Sequence, residues 1–171
     1  MHANPSFDAL VETHSAEIHR YLWRMLYDLE DAEDALQETF LRAFRAYPRL
    51  RPDSNTRAWL YKIATNTART LATRRTKLAI RNIPLDEYHA ARDPSPPDVA
   101  AQNDLLAAVF DAVEALPHKQ RAALLMRKYQ DMEYAEIADA LDCSEDSARA
   151  NVYQAVRRIR EQFGEQEQLE R

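Results

Sequence analysis

The sequence predicts an all-α protein of two small helical domains joined by a proline-rich linker. Three observations lead there. A single glycine stands among 171 residues rich in Ala, Leu, Arg and Glu, a mix that favours helix. Apolar residues recur near the helical period of about 3.6 along most of the chain, and no run alternates as a strand would. Pro84, Pro94, Pro96 and Pro97 gather among acids in the one stretch where that period fails.

Taken in order, Phe7, Leu10, Val11, His14, Ile18, Tyr21, Leu22 and Met25 mark a first long helix. Ala32, Ala35, Leu36, Thr39, Phe40, Ala43 and Phe44 mark a second, with Asp31 as the expected N-cap. Leu60, Ile63, Ala64, Thr67, Ala68 and Leu71 mark a third. From about Arg81 to Gln102 the pattern gives way to a composition that reads as an extended, fairly stiff linker. Periodicity resumes at Leu105, Leu106, Val109, Phe110 and Val113, and Pro117 sits where a following helix would begin. The organisation expected is residues 1–80, a linker at 81–101, and residues 102–171.

Tyr134 to Arg160 carry the pattern of a helix-turn-helix. Ile137, Ala138 and Leu141 give its first helix, Asp142 and Cys143 a tight turn, and Ser144 the next cap. Glu145 and Asp146 follow in the first turn, where the helix dipole favours acids. The usual turn glycine is absent, so Asp142 must take the left-handed conformation, which Asp tolerates better than most residues. Burying Ala148, Val152, Ala155 and Ile159 turns Ser147, Arg149, Asn151, Gln154, Arg157 and Arg158 outward. Arg, Asn and Gln suit bidentate contacts to base edges in a major groove. A helical hairpin with a solvated polar face is the alternative for this segment alone.

Charge sharpens the reading. The net charge of −5 argues against a nucleic-acid partner until it is counted in blocks. Residues 8–38 hold nine acids and two bases, residues 41–81 eleven bases and one acid, and residues 82–116 seven acids and one base. A block that basic inside an acidic chain is the footprint of a polyanion site. Within it Trp59, Lys62, Asn66, Arg69 and Thr73 form a stripe offset from the core, an aromatic and an amide among bases, which suits unpaired nucleic acid. For Trp59 by itself, a place in the core is the simpler reading. Arg74, Arg75 and Lys77 extend the charge beyond the helix. On the second helix Asp34, Gln37, Glu38 and Leu41 form an exposed stripe whose apolar member has no core role, pointing to a protein partner.

Other classes find little support. One Cys and five His show no zinc spacing, so no metal or other cofactor is expected. There is no glycine loop for phosphate and no nucleophile near a base, which argues against an enzyme. No segment approaches the roughly 20 apolar residues of a membrane span, and the N-terminus lacks the pattern of a signal peptide. A soluble cytoplasmic protein is expected, without membrane partners.

The runs DAEDALQETFLRAFRAYPRL (31–50), TRAWLYKIATNTARTLATRR (56–75) and ALPHKQRAALLMRKYQDMEYAEIADALDCSEDSARANVYQAVRRIRE (115–161) resemble bacterial RNA polymerase sigma factors of the extracytoplasmic-function (ECF) group. With the first helix they cover nearly everything outside the linker and the tail after Gln162. The resemblance implies a region 2-like helical bundle, a region 4-like helix-turn-helix, and a role in transcription initiation. It implies that Asp34, Gln37, Glu38 and Leu41 grip the β′ clamp coiled coil of core RNA polymerase. Tyr47 to Asn55 and the helix bearing Arg57, Trp59, Lys62, Asn66, Arg69, Arg74 and Arg75 would melt the −10 element of promoter DNA and capture a flipped base. Ser147, Arg149, Asn151, Tyr153, Gln154, Arg157 and Arg158 would read the −35 element on a domain docked at the β flap. The linker would thread the polymerase interior, and an anti-sigma protein, common in the group, would cover these same surfaces. Two departures bear on promoter sequence: Thr70 stands where the group commonly has Asp, and Asn151 and Gln154 where it often has bases. A helix-turn-helix regulator of the response-regulator output type is the alternative. It explains the C-terminal half and leaves residues 41–81 without a purpose.

Overall fold

The computed structural model describes the backbone of residues 4–81 and 97–169, and side chains within 4–79 and 105–163. Most of the expected 81–101 linker lies outside the described residues. No strand occurs among those described.

Helix α1 (Phe7–Leu26) opens on Ser6, whose hydroxyl accepts the Ala9 N–H, and closes on Tyr27 in the left-handed region at φ 53°. Helix α2 (Leu29–Ala46) is capped by Asp28, which accepts the Asp31 N–H at 2.9 Å. The cap therefore lies three residues before Asp31, which instead sits in the first turn, where an acid meets the positive end of the helix dipole. A single 3₁₀ turn at Tyr47–Arg49 leads toward α3 (Thr56–Arg81). Asn55 caps α3 by accepting the Ala58 N–H at 3.0 Å. Arg74, Arg75 and Lys77 lie inside α3 rather than beyond it, because no breaker occurs before its last turn.

These three helices pack pairwise around Leu10, Ile18, Tyr21, Leu22, Met25, Leu60 and Tyr61, all essentially sealed from solvent. Ala32, Ala35 and Ala43 let α2 approach closely. Phe44, expected in that core, stays 62% exposed with its ring edge-on to Phe7 at 5.2 Å.

The second unit comprises α4 (Pro97–Glu114), α5 (His118–Tyr129), α6 (Tyr134–Leu141) and α7 (Glu145–Leu169). Helix α4 begins inside the stretch expected to be linker, with proline first, where its missing N–H costs nothing. Helix α6 carries a capping box in which Glu133 and Glu136 satisfy each other's backbone N–H groups. Asp142 ends α6 at φ 55°, ψ 52°, the left-handed geometry that the missing glycine required. Ser144 then caps α7 by accepting the Ser147 N–H at 3.1 Å.

The two units are not separate bodies on a tether. Helix α3 lies against α6 and α1 against α5. Phe110 of α4 meets the rings of Tyr27 and Trp23 edge-on at 5.6 and 6.3 Å. Arg121 of α5 donates to the Met25 carbonyl at 2.7 Å, and Arg24 lies over the Tyr129 ring at 4.2 Å. His118 opens α5 nearby. Burial, with the Arg121 and Arg69 cations adding to it, pushes its imidazole down to about 4. Folding thus favours the neutral ring, whereas the unfolded chain takes up a proton near pH 6.5. The stability this contributes is complete above about pH 6.5 and is lost as the pH falls toward 4. Urea midpoints should drop between pH 7 and pH 5, and His118→Leu should flatten that drop; an unchanged slope would remove His118 from the account.

Candidate polymerase and nucleic-acid interfaces

On α2, Asp34 and Gln37 are exposed, Leu41 is 52% exposed, and Glu38 is half-exposed with Arg42 at 2.5 Å. All four occur on α2 away from its buried line of Ala32, Ala35, Thr39 and Ala43. A leucine with half its surface in water has no core to serve.

Helix α3 divides its candidate residues into three sets. Asn66, Arg69, Thr73 and Arg74 are exposed. Trp59 is half-buried, packed on the core, with its ring 6.1 Å from that of Tyr47. It braces the start of the helix against the 3₁₀ turn. Arg57, Lys62 and Arg75 are held by acids. Arg75 bonds Asp31 at 2.8 Å and reaches Asp28 at 3.5 Å, tying α3 back to the start of α2. Lys62 pairs with Asp142 of the other unit at 3.3 Å.

Arg57 belongs to the best-connected polar cluster in the protein. Its Nη2 donates to Glu17 at 2.9 Å and to the Gln130 carbonyl of the second unit at 2.7 Å. Glu17 also accepts from the Tyr61 hydroxyl at 3.2 Å and contacts His14 Nδ1 at 2.5 Å. Burial works to raise the Glu17 carboxyl, but the hydrogen bonds from Arg57 and His14 outweigh it and hold it below its usual value. Glu17 thus remains ionised and orients Arg57.

On α7, Ser147, Tyr153, Gln154, Arg157 and Arg158 are exposed and Asn151 half-exposed. Most are occupied locally. Arg149 bonds Glu145 at 3.1 Å, Asn151 donates to the Ser147 carbonyl at 2.8 Å, and Arg157 bonds Glu161 at 2.7 Å. The Gln154 oxygen accepts from Gln120 of α5 at 2.9 Å. The contacts of Arg149, Asn151 and Arg157 are exposed and exchange at little cost for a base edge or phosphate, whereas Gln120 is buried and its bond to Gln154 is costlier to give up.

The family Sigma-70 region 2 matches residues 10–78, and Sigma-70 region 4 matches residues 106–159. The RNA polymerase sigma-H factor of Pseudomonas aeruginosa is 30% identical over 158 residues, covering 88% of this chain and 82% of its own. The ECF RNA polymerase sigma factor SigE of Mycolicibacterium smegmatis is 30% identical over 160 residues, covering 93% of this chain. The chain belongs to the ECF RNA polymerase sigma factors.

This sigma factor spans 62% of the length of SigE. Its fold matches two solved structures. The sigma factor RpoE, bound to the anti-sigma factor NepR from Bartonella quintana, has a TM-score of 0.69 at 20% identity, with 92% of this chain and 96% of that one covered. CnrH, in complex with the cytosolic domain of CnrY, has 0.66 at 23%, with 92% and 87% covered.

Two features of this sigma factor escape a reading of its sequence. Arg127 and Lys128 at the end of α5 join Tyr134, Arg149, Tyr153, Arg157 and Arg160 around a groove of about 560 Å³. Arg127 and Arg149 both lie over the Tyr134 ring, at 4.8 and 4.9 Å. Their separation in sequence hides the cluster, although two bases ending a helix beside a helix-turn-helix were a usable signal. The second feature is what Thr70, already singled out by its position, does with its hydroxyl: it donates to the Asn66 carbonyl at 3.0 Å and so turns back onto its own helix.

Proposed function

We propose that this sigma factor binds core RNA polymerase in the cytoplasm and directs it to promoters, without catalysing a reaction of its own. Helix α2 grips the β′ clamp through Asp34, Gln37, Glu38 and Leu41. The start and outer face of α3 melt the −10 element and hold a flipped base, through Arg57, Lys62, Asn66, Arg69 and Arg74, with Trp59 and Arg75 bracing the helix. Helix α7 reads the −35 element through Ser147, Arg149, Asn151, Tyr153, Gln154, Arg157 and Arg158, on a unit docked at the β flap. The observation carrying this reading is that region 2 and region 4 both match, in that order, on one chain. A regulator built only on the helix-turn-helix would leave α1–α3 without a role. An anti-sigma protein is a further expected partner, covering the same faces.

The deciding experiment mixes the protein with core polymerase and a promoter library. Initiation that core alone does not produce supports the proposal, and its absence sinks it. Free protein should bind duplex DNA weakly, because residues 118–171 hold nine bases against eleven acids and gain little from counterion release. Within the holoenzyme, Arg149→Ala should cost about 1–3 kcal/mol at particular −35 base pairs if Arg149 reads a base edge. Transcription from a randomised −35 library separates this from a phosphate contact, for which the loss would be uniform across sequences.

A further inference from the structure

Gln120 lies in the first turn of α5, which packs against α7, and its side chain is buried. Its Nε2 donates to the Gln154 Oε1 at 2.9 Å, while its own Oε1 is sealed from solvent with no hydrogen-bond partner among the described residues. That burial sets the polarity of the pair. Turning both amides over would keep the bond but leave an NH2 group orphaned in the sealed position. A buried N–H without a partner is harder to tolerate than an under-used carbonyl oxygen. Gln154 itself is exposed, so its oxygen is anchored on α5 while its NH2 end is free. Asn151 differs, since its amide nitrogen bonds the Ser147 carbonyl of its own helix at an exposed site.

We propose that Gln120 is a positioning residue that makes Gln154 a donor-only reader of the −35 element, selecting guanine over adenine at the base pair it faces. The proposal rests on the assignment of Gln154 to that element. A glutamine reads adenine with both ends of its amide, the oxygen accepting from N6 and the nitrogen donating to N7. Bringing the Gln154 oxygen up to N6 would detach it from Gln120. The buried Gln120 amide would then have neither end paired, a cost that falls on the adenine complex alone. Guanine presents two acceptors in the major groove, N7 and O6. The Gln154 NH2 group meets them with its oxygen still on α5. A side chain whose type suits adenine is thus turned to the opposite base polarity by a residue 34 positions away.

The test is transcription by the full-length protein in holoenzyme from a library randomised across the −35 element. Gln154→Ala first identifies the position that residue 154 reads, as the one whose base preference it erases. There the unaltered protein should favour guanine over adenine. Gln120→Met replaces the buried amide with an apolar chain of similar length. It removes the orphaned oxygen and leaves the exposed Gln154 amide to water, so the thermal transition should hold or rise. The guanine-to-adenine ratio at that position should fall about tenfold, the scale of one buried amide left unpaired. Gln120→Leu should act alike. In the Gln154→Ala background neither substitution should move base preference, because Gln120 acts through Gln154. An adenine preference in the unaltered protein would overturn the proposal. So would an unchanged ratio in the folded Gln120 variants, or a shift that persists without Gln154. A loss of initiation uniform across the library would overturn it too, since it marks a merely structural role. If Gln154→Ala erases no preference, the assignment of Gln154 to the −35 element fails and the proposal with it; only in that case do the two fall together.

Discussion

Leu41→Arg is expected to abolish holoenzyme assembly while leaving the protein folded. Leu41 keeps 52% of its surface in water, between the exposed Gln37 and Arg42 and beside Glu38. Losing a buried leucine typically costs about 2–5 kcal/mol, whereas exposed substitutions usually stay within about 0.5 kcal/mol. The thermal transition should thus hardly move. At an interface a desolvated anchor of this kind is worth about 2 kcal/mol or more, and an arginine there adds an unpaired charge to be buried. Pull-down with core polymerase, alongside thermal melts by circular dichroism, reads both quantities. A folded variant that binds core normally would sink the assignment of the α2 stripe.

Asn66→Ala should leave core binding intact and slow open-complex formation by about tenfold, since a good bidentate contact from an amide to a base edge is worth about 1–3 kcal/mol. Asn66 is exposed on α3, Thr70 bonds its backbone carbonyl, and its side chain makes no hydrogen bond to the described residues. The fold therefore does not depend on its side chain. A template already melted across the −10 region should recover part of the loss, because the missing step is base capture. Permanganate footprinting of the bubble, with native gels for holoenzyme, distinguishes the cases. Lost core binding would mean that this face serves the polymerase.

Local structure was legible wherever a short stretch of chain decides it. The left-handed Asp142, the Ser144 cap and the short α6 follow from neighbouring residues alone, since a turn of that length leaves few backbone solutions. The apolar stripes of α1 and α7 likewise located their buried faces. The errors share a cause. Asp28 and Asp31 are both good caps, and choosing between them requires knowing where α1 ends. Phe44 continues the period of α2 but stays mostly exposed, its ring edge-on to Phe7. Trp59 is a different case: it sits in the basic stripe by spacing and, half-buried, also packs on the core, where the 3₁₀ turn places Tyr47 beside it.

The sequence by itself determined the helices, the order of two sigma regions, the basic block and the acidic blocks around it. Periodicity, capping and charge are properties of residues close together in the chain, so they survive without coordinates. Tertiary structure alone decided which cations are spoken for. Arg57 is held by Glu17 and by the Gln130 carbonyl, 40 and 73 residues away, and Lys62 by Asp142 across the two units. Such pairings depend on how α3 meets α1 and α6. No local pattern encodes that meeting, because an arginine on a helix surface has the same spacing whether it faces water, DNA or a carboxylate.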